Sequence, residues 1–307
     1  MGLGHHHHDH GDGIHTHGAD RADIQRRLVG VLALTAVFTV AEVVGGVISN
    51  SLALLADAGH MFSDVAALGL SVMAIGLANR PPSDRRTYGY ARFEILAALV
   101  NGAALLVVAV LIVAEAWERL REPVAIDGGV MLVVASLGLI VNVIAAFVLH
   151  AHAHDNLNVR GAYLHVLGDL LGSIGAIAAG VVVLTTGWTL ADPIISALIA
   201  LLILVSAWNL VREATDVLLE SVPDHLDLGE ILRAMEAVDG LGDVHDVHVW
   251  TLTSGFVALS GHGMIDDPAD HMRILREVRE RMAGFGIEHV TFQIELRPLV
   301  QLANESR

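Results

Sequence analysis

The chain has 307 residues, 54% of them hydrophobic and only 17% charged, with a formal net charge of −16 and a mean hydropathy of +0.59. That is too apolar for a soluble domain of this size unless long membrane spans account for it, and no nucleic-acid partner is expected of so acidic a chain. Cysteine is absent, which excludes a disulfide framework and a thiolate metal site and leaves His, Asp, Glu and backbone groups to hold any metal.

In chain order, residues 1–27 come first and are expected to be a disordered, His-rich segment. Seven of the 18 histidines, His5 to His8, His10, His15 and His17, fall here, and such tracts bind zinc or nickel loosely. Six apolar segments follow, each close to the ~20 residues that cross a ~30 Å bilayer core. They are Leu28–Ser49, Leu52–Ala78, Phe93–Ala114, Gly129–Leu149, Gly161–Thr186 and Leu190–Val211, and they make residues 28–212 a membrane domain. Arg21, Arg26, Arg27, Arg80, Arg85, Arg86, Arg92, Arg160 and Arg212 flank one side, against Arg119 and Arg121 on the other. The positive-inside rule therefore predicts both termini in the cytoplasm. His150, His152 and His154, after the fourth span, form a second short tract on that side.

The second and fifth spans each contain His-x-x-x-Asp: His60/Asp64 and His165/Asp169. Positions i and i+4 stack on one helix face, so each motif aims an imidazole and a carboxylate the same way. Ionisable groups at the bilayer centre cost about 2.5–3.5 kcal/mol each on insertion scales, and a shared dication is a compensation for four of them. Two imidazole nitrogens and two carboxylate oxygens in tetrahedral array suit zinc better than the oxygen cages of magnesium or calcium. Small residues around both motifs, including Gly59, Gly168 and Gly172, fit helices that approach closely. Asp57, three residues before His60 on the same face, is either an acceptor that holds the imidazole tautomer or a competing ligand. Glu42, Asn101 and Asn142 are further polar groups within spans, expected to hydrogen-bond between helices.

From Glu213 onward the chain carries 18 acidic and 7 basic residues and no spanning segment, so residues 213–307 read as a separate domain. Its periodicities predict a helix over Leu228–Val238, strands over Val244–Thr253 and Phe256–Ile265 joined at Ser254-Gly255, a helix over Ala269–Ala283 and a strand over Ile287–Leu296. The αββαβ order implies a two-layer α+β fold. His245 and His262 on neighbouring strands, with Glu295 turned away from the core, are candidates for a second metal site. His248, in phase with Trp250 and Leu252, is expected to pack inward.

The segment Ser51–Asp64, the loop from Arg86 to Glu94, Tyr163–Asp169 and Val244–Trp250 together resemble the cation diffusion facilitator family over Leu28 to Leu296, and the His/Asp quartet resembles its zinc-transporting branch. The resemblance implies a homodimeric, proton-coupled exporter of divalent metal with a ferredoxin-like cytoplasmic domain that binds zinc and helps the dimer assemble. It assigns His60, Asp64, His165 and Asp169 to transport and His245, His262 and Glu295 to the cytoplasmic site. The loop Asn79–Ala91 has no histidine, so a loop metal site is not expected. Zinc needs neutral imidazole and ionised carboxylate, hence binding competes with protons in the physiological range. The chain is thus expected to act in a bacterial inner membrane as a zinc/proton antiporter with no bond-making chemistry; the alternatives are a membrane-anchored zinc sensor and an intramembrane zinc hydrolase, for which no His-Glu-x-x-His helix is present.

Overall fold

The computed structural model describes residues 13–78, 83–150 and 157–297; within its helices, the side chains of 13–28, 67–68, 70–78, 149–150 and 157–165 are outside the description. Six long helices come first: α1 (Gly13–Ser49), α2 (Leu52–Ala78), α3 (Phe93–Arg121), α4 (Gly128–His150), α5 (Leu157–Thr186) and α6 (Ala191–Leu218). Among the described residues, α1, α3, α4, α5 and α6 contain stretches long and apolar enough to cross a membrane. The 27 residues of α2 give it a length of about 40 Å, enough for a sixth crossing. Several helices outrun the apolar segments: α3 continues to Arg121 and α6 to Leu218. Hydropathy marks where lipid ends, not where helix ends; in α3 the Glu115–Arg119 pair, 2.9 Å apart at i,i+4, carries the helix on. Likewise residues 13–27, expected to be disordered, are helical from Gly13. Ala19, Ala22, Gln25, Arg26 and Arg27 favour helix, with neither Gly nor Pro between Ala19 and Arg27 to stop it.

The chain forms two compact units, Met1–Leu68 with Ala103–Ala207 and Gly69–Gly102 with Trp208–Arg307. The core of the first is built from small residues, among them Ala53, Ala56, Ala109, Ala135, Ala176, Ala179 and Ala200. Large apolar side chains instead face outward, as Val37 and Phe147 do at 72% and 82% exposure, an arrangement stable only where lipid covers them. Glycines bring helices together: a Cβ on Gly45 of α1 would come within 2.6 Å of Val134 on α4, and one on Gly138 of α4 within 2.9 Å of the Phe38 ring.

The start of α2 is held with unusual care. Ser51 caps its own helix by accepting from Leu54 N–H at 3.3 Å. Asp192 of α6 then accepts from Ser51 Oγ at 2.6 Å, Leu52 N–H at 2.8 Å and Ala53 N–H at 3.2 Å. A carboxylate there satisfies donors a helix cannot and matches its positive end. Arg119 fastens the preceding turn, donating to Asn50 O at 2.6 Å and Asn50 Oδ1 at 3.2 Å.

In the second unit the tail follows the expected αββαβ order: α7 (Leu228–Glu236), β1 (Leu241–Thr253), β2 (Phe256–Ile265), a 3₁₀ turn Pro268–Asp270 leading into α8 (His271–Gly284), and β3 (His289–Leu296). The sheet order is β1-β2-β3, antiparallel between the first pair and parallel between the second. Asp227 caps α7 through Gly229 N–H at 2.7 Å. Ile274, Val278 and Met282 recur every fourth residue on α8 and are fully buried against Val249, Leu259 and Phe292 of the sheet. Gly255, at φ +74°, makes the tight β1–β2 turn that a side chain would resist. β1 starts at Leu241 rather than Val244, and β3 at His289 rather than Ile287.

Candidate metal centre

In α2 the four-residue spacing brings His60 Nε2 to 3.7 Å from Asp64 Oδ2, and α5 brings Asp169 Oδ1 to the same 3.7 Å from that nitrogen. The three ligand atoms lie within 4.8 Å of one another. With metal–ligand bonds near 2.05 Å, the edge of a zinc tetrahedron is about 3.3 Å, so the two 3.7 Å separations from His60 Nε2 stand close to coordination geometry. Asp169 is buried, whereas His60 and Asp64 are about a quarter exposed, at 22% and 28%, which leaves one side open for an arriving ion. His165 stands one turn before Asp169 in α5, and its side chain is outside the described residues.

Asp57 is buried and pressed against α5: a Cβ on Gly172 would come within 2.8 Å of its Oδ1. Gly172 is therefore the residue that lets this carboxylate lie between two helices. Glu42 of α1, also buried, lies beside Asp57. Glu42 Oε2 and Asp57 Oδ2 face no hydrogen-bond donor. Carboxyl groups crowded into a dry interior stay ionised only with a cation beside them and otherwise hold a proton. Asp57 thus joins an acidic cluster that includes α1, a link that helical spacing within α2 did not reveal.

A second grouping spans all three strands. His245 and His262 are directly opposed in the β1–β2 ladder, with ring centroids 5.5 Å apart. Glu295 on β3 reaches both, Oε1 lying 3.0 Å from His262 Nδ1 and Oε2 lying 3.9 Å from His245 Nε2. His245 Nδ1 donates to Asp243 O at 2.8 Å, the kind of contact that fixes a tautomer and leaves Nε2 as the lone-pair nitrogen. The same hydrogen bond pushes the His245 pKa above its ordinary value of 6.5. Gln293 Nε2 steadies Glu295 by donating to Oε1 at 3.1 Å. Two imidazoles and a carboxylate with a position left for water match a three-ligand zinc site.

The local backbone explains this aim. Ladder register shifts on either side of His245, and Asp243 and Asp246 sit at φ +44° and +52°. Paired bulges turn the strand so that His245 points across the sheet. They also overturn the expectation for His248, which is 65% exposed and bonded to Asp246 Oδ1 at 3.0 Å; Val249 takes the core position instead. The histidine tracts contribute nothing described: His5 to His8, His10, His152 and His154 lie outside the described residues, and so do the side chains of His15, His17 and His150.

Asp192 was not legible as a clamp on α2. Ala191-Asp192-Pro193 reads as the start of its own helix, and nothing local shows that its carboxylate serves another.

A bundle of spanning helices with a carboxylate–imidazole grouping between two of them and a small α+β tail defines a membrane-embedded cation transporter. The chain belongs to the cation efflux family: it matches the cation efflux transmembrane domain over residues 28–219 and the cation efflux protein cytoplasmic domain over 223–297. It is 46% identical to the zinc transporter ZitB of Escherichia coli, covering 89% of this chain and 88% of that one. It is 45% identical to the metal cation efflux system protein CzcD of Cupriavidus metallidurans, with 98% and 92% covered. A cadmium, cobalt and zinc/H(+)-K(+) antiporter of Bacillus subtilis is 40% identical, with 92% and 91% covered. The chain is accordingly a metal-transporting integral membrane protein and not an enzyme.

Proposed function

We propose that the protein exports zinc from the cytoplasm in exchange for protons, using His60, Asp64, His165 and Asp169 as the transport site. The observation that carries this reading is the convergence of Asp64 and Asp169 on His60 Nε2, each at 3.7 Å, from two different helices. Zinc is the cargo. An imidazole that accepts a proton loses its lone pair for the metal, so one group alternates between the two ions. At neutral cytoplasmic pH the quartet loads zinc; opened toward a more acidic exterior, it takes protons and releases the metal. Rocking of helices around a fixed midplane site supplies the alternation.

His245, His262 and Glu295 are proposed to hold a regulatory zinc, and the tail to pair with that of a second copy. Both termini are placed on the cytoplasmic side of a bacterial inner membrane, in accord with the arginine distribution. The test is zinc flux in sealed vesicles with an imposed pH gradient. Asp64→Ala and Asp169→Ala should each abolish flux while the protein still inserts and dimerises. Flux at the parent rate in either variant overturns the assignment, and flux indifferent to the pH gradient overturns the exchange.

A further inference from the structure

The interior of the first unit holds more carboxyl groups than the transport quartet uses. Glu42 is the one ionisable side chain of α1 between Val29 and Ser49, and α4 has none between Gly128 and Val148. From α2 come Asp57, His60 and Asp64, and from α5, between Val166 and Thr186, only Asp169. The charges of α3 and α6 stand at their ends, where Arg119 is engaged with Asn50 and Glu115, and Asp192 with the start of α2. Among the described residues, four carboxyl groups thus meet one imidazole and no arginine.

Asp64 and Asp169 belong to the grouping around His60. Glu42 and Asp57 do not, and Glu42 comes from a helix that supplies no ligand. This second pair is also the more deeply enclosed: Glu42 is 1% and Asp57 2% exposed, whereas the ligand grouping opens to one side. Glu42 Oε2 and Asp57 Oδ2 have no hydrogen-bond partner among the described residues. Two neighbouring carboxylates with neither a donor nor a basic side chain cannot both stay ionised. If one keeps its proton, its O–H can donate to the other's carboxylate oxygen, and both orphaned atoms are satisfied at once.

We propose that Glu42 and Asp57 form a proton-holding pair, separate from the metal ligands, that gives up a proton when zinc enters the quartet and takes one back when zinc leaves. The proposal rests on the reading of the quartet as the transport site. Asp169 lies within electrostatic range of both members of the pair, and Asp64 within range of Asp57. With the quartet empty, those two carboxylates oppose further negative charge beside them, and the pair stays fully protonated. Zinc neutralises them, one carboxyl O–H of the pair breaks, and the remaining proton is shared between Glu42 and Asp57. The released proton passes to water on the side where His60 and Asp64 are partly exposed. Counter-ion and cargo then occupy adjoining sites, in addition to any proton taken by the imidazoles themselves.

Calorimetric titration of zinc into the full chain in detergent, in buffers of different ionisation enthalpy, counts the protons released per chain at saturation. Glu42→Gln and Asp57→Asn should each bind as much zinc as the parent and release about one proton fewer; Glu42→Asp, which keeps the carboxyl, should match the parent. Zinc bound by the tail releases the same protons in every variant and cancels. Infrared difference spectra of the parent, with zinc minus without, should lose a C=O stretch of a protonated carboxyl, and that band should move in Glu42→Asp. The pair is refuted by an unchanged proton count in Glu42→Gln, or by a parent spectrum without the band, as a pair holding a metal ion instead of a proton would give. Loss of a bound zinc in Glu42→Gln or Asp57→Asn makes that carboxyl a ligand or a prop of the site and refutes it too. Asp64→Ala and Asp169→Ala should each bind one zinc fewer than the parent; if they bind as many, the quartet reading fails on its own account, and the pair with it.

Discussion

Replacing Asp192 with alanine should loosen the whole first half of α2. The carboxylate is fully buried, as is Ser51, and it satisfies Ser51 Oγ, Leu52 N–H and Ala53 N–H. The Ser51 hydroxyl can rotate toward another acceptor; the two amides cannot. Each buried donor left without a partner costs about 1–3 kcal/mol, which puts the loss at about 2–4 kcal/mol once partial relaxation is allowed for. At roughly 2–4 °C per kcal/mol for a domain of this size, the melting temperature should fall by about 5–15 °C. Asp192→Asn keeps one acceptor oxygen and should lose about half as much. Because α2 carries His60 and Asp64, zinc flux should fall alongside stability. Differential scanning fluorimetry in detergent, paired with vesicle flux, measures both. A melting temperature within about 2 °C of the parent in Asp192→Ala would refute the reasoning, since two buried amides cannot lose their acceptor without cost.

Zinc at 100 times its dissociation constant should stabilise the tail, produced from about Pro223 with its own core, by about 2.7 kcal/mol. Calorimetry should find that gain abolished in the triple alanine variant of His245, His262 and Glu295. The raised pKa of His245 keeps its imidazolium populated to a higher pH than an ordinary histidine. Tail affinity for zinc should therefore already be falling as the pH drops through a value above 6.5, measurable by titration at several pH values; affinity constant down to pH 6 would exclude His245 as a ligand. The hydrogen bond that raises this pKa stabilises the metal-free tail at low pH and stops doing so as the pH rises through the raised value, the opposite trend to zinc binding. His60→Asp exchanges a nitrogen for a hard oxygen, so manganese should compete better against zinc flux and the pH dependence should change; identical selectivity and pH profile would remove His60 from the site. Gly172→Ala drives a methyl against Asp57 Oδ1 and should weaken zinc transport, while Gly168→Ala, with nothing within 4 Å of the added carbon, should not.

What was legible in the sequence depended on how local the cause was. His60 and Asp64 are neighbours because helices have 3.6 residues per turn, and the tail strands alternate because sheets have two faces; both rules act over a few residues. Apolar spans do not mark helix ends where polar residues go on favouring helix beyond the lipid, as at Arg121 and Leu218. His248 was misplaced because the bulges around His245 break the two-residue alternation, so that Val249 rather than His248 is buried while Leu252 keeps its core position, and Asp243 and Asp246 do not announce a left-handed backbone. Contacts such as Asp192 with α2, Glu42 with Asp57 and Glu94 with Ser254 join residues far apart in the chain, and no spacing rule reaches them.

The two left-handed aspartates beside His245 carry a lesson for anyone wishing to make this domain sturdier. Aspartate tolerates that backbone better than most residues, yet it still carries a conformational cost that glycine would avoid. Asp243→Gly and Asp246→Gly would be obvious stabilising choices on backbone grounds alone. They would also give the strand freedom to unbend, and with it the aim of the imidazole between them. Here the less comfortable residue is the more useful one: thermostability and sensitivity to metal pull on the same two positions in opposite directions.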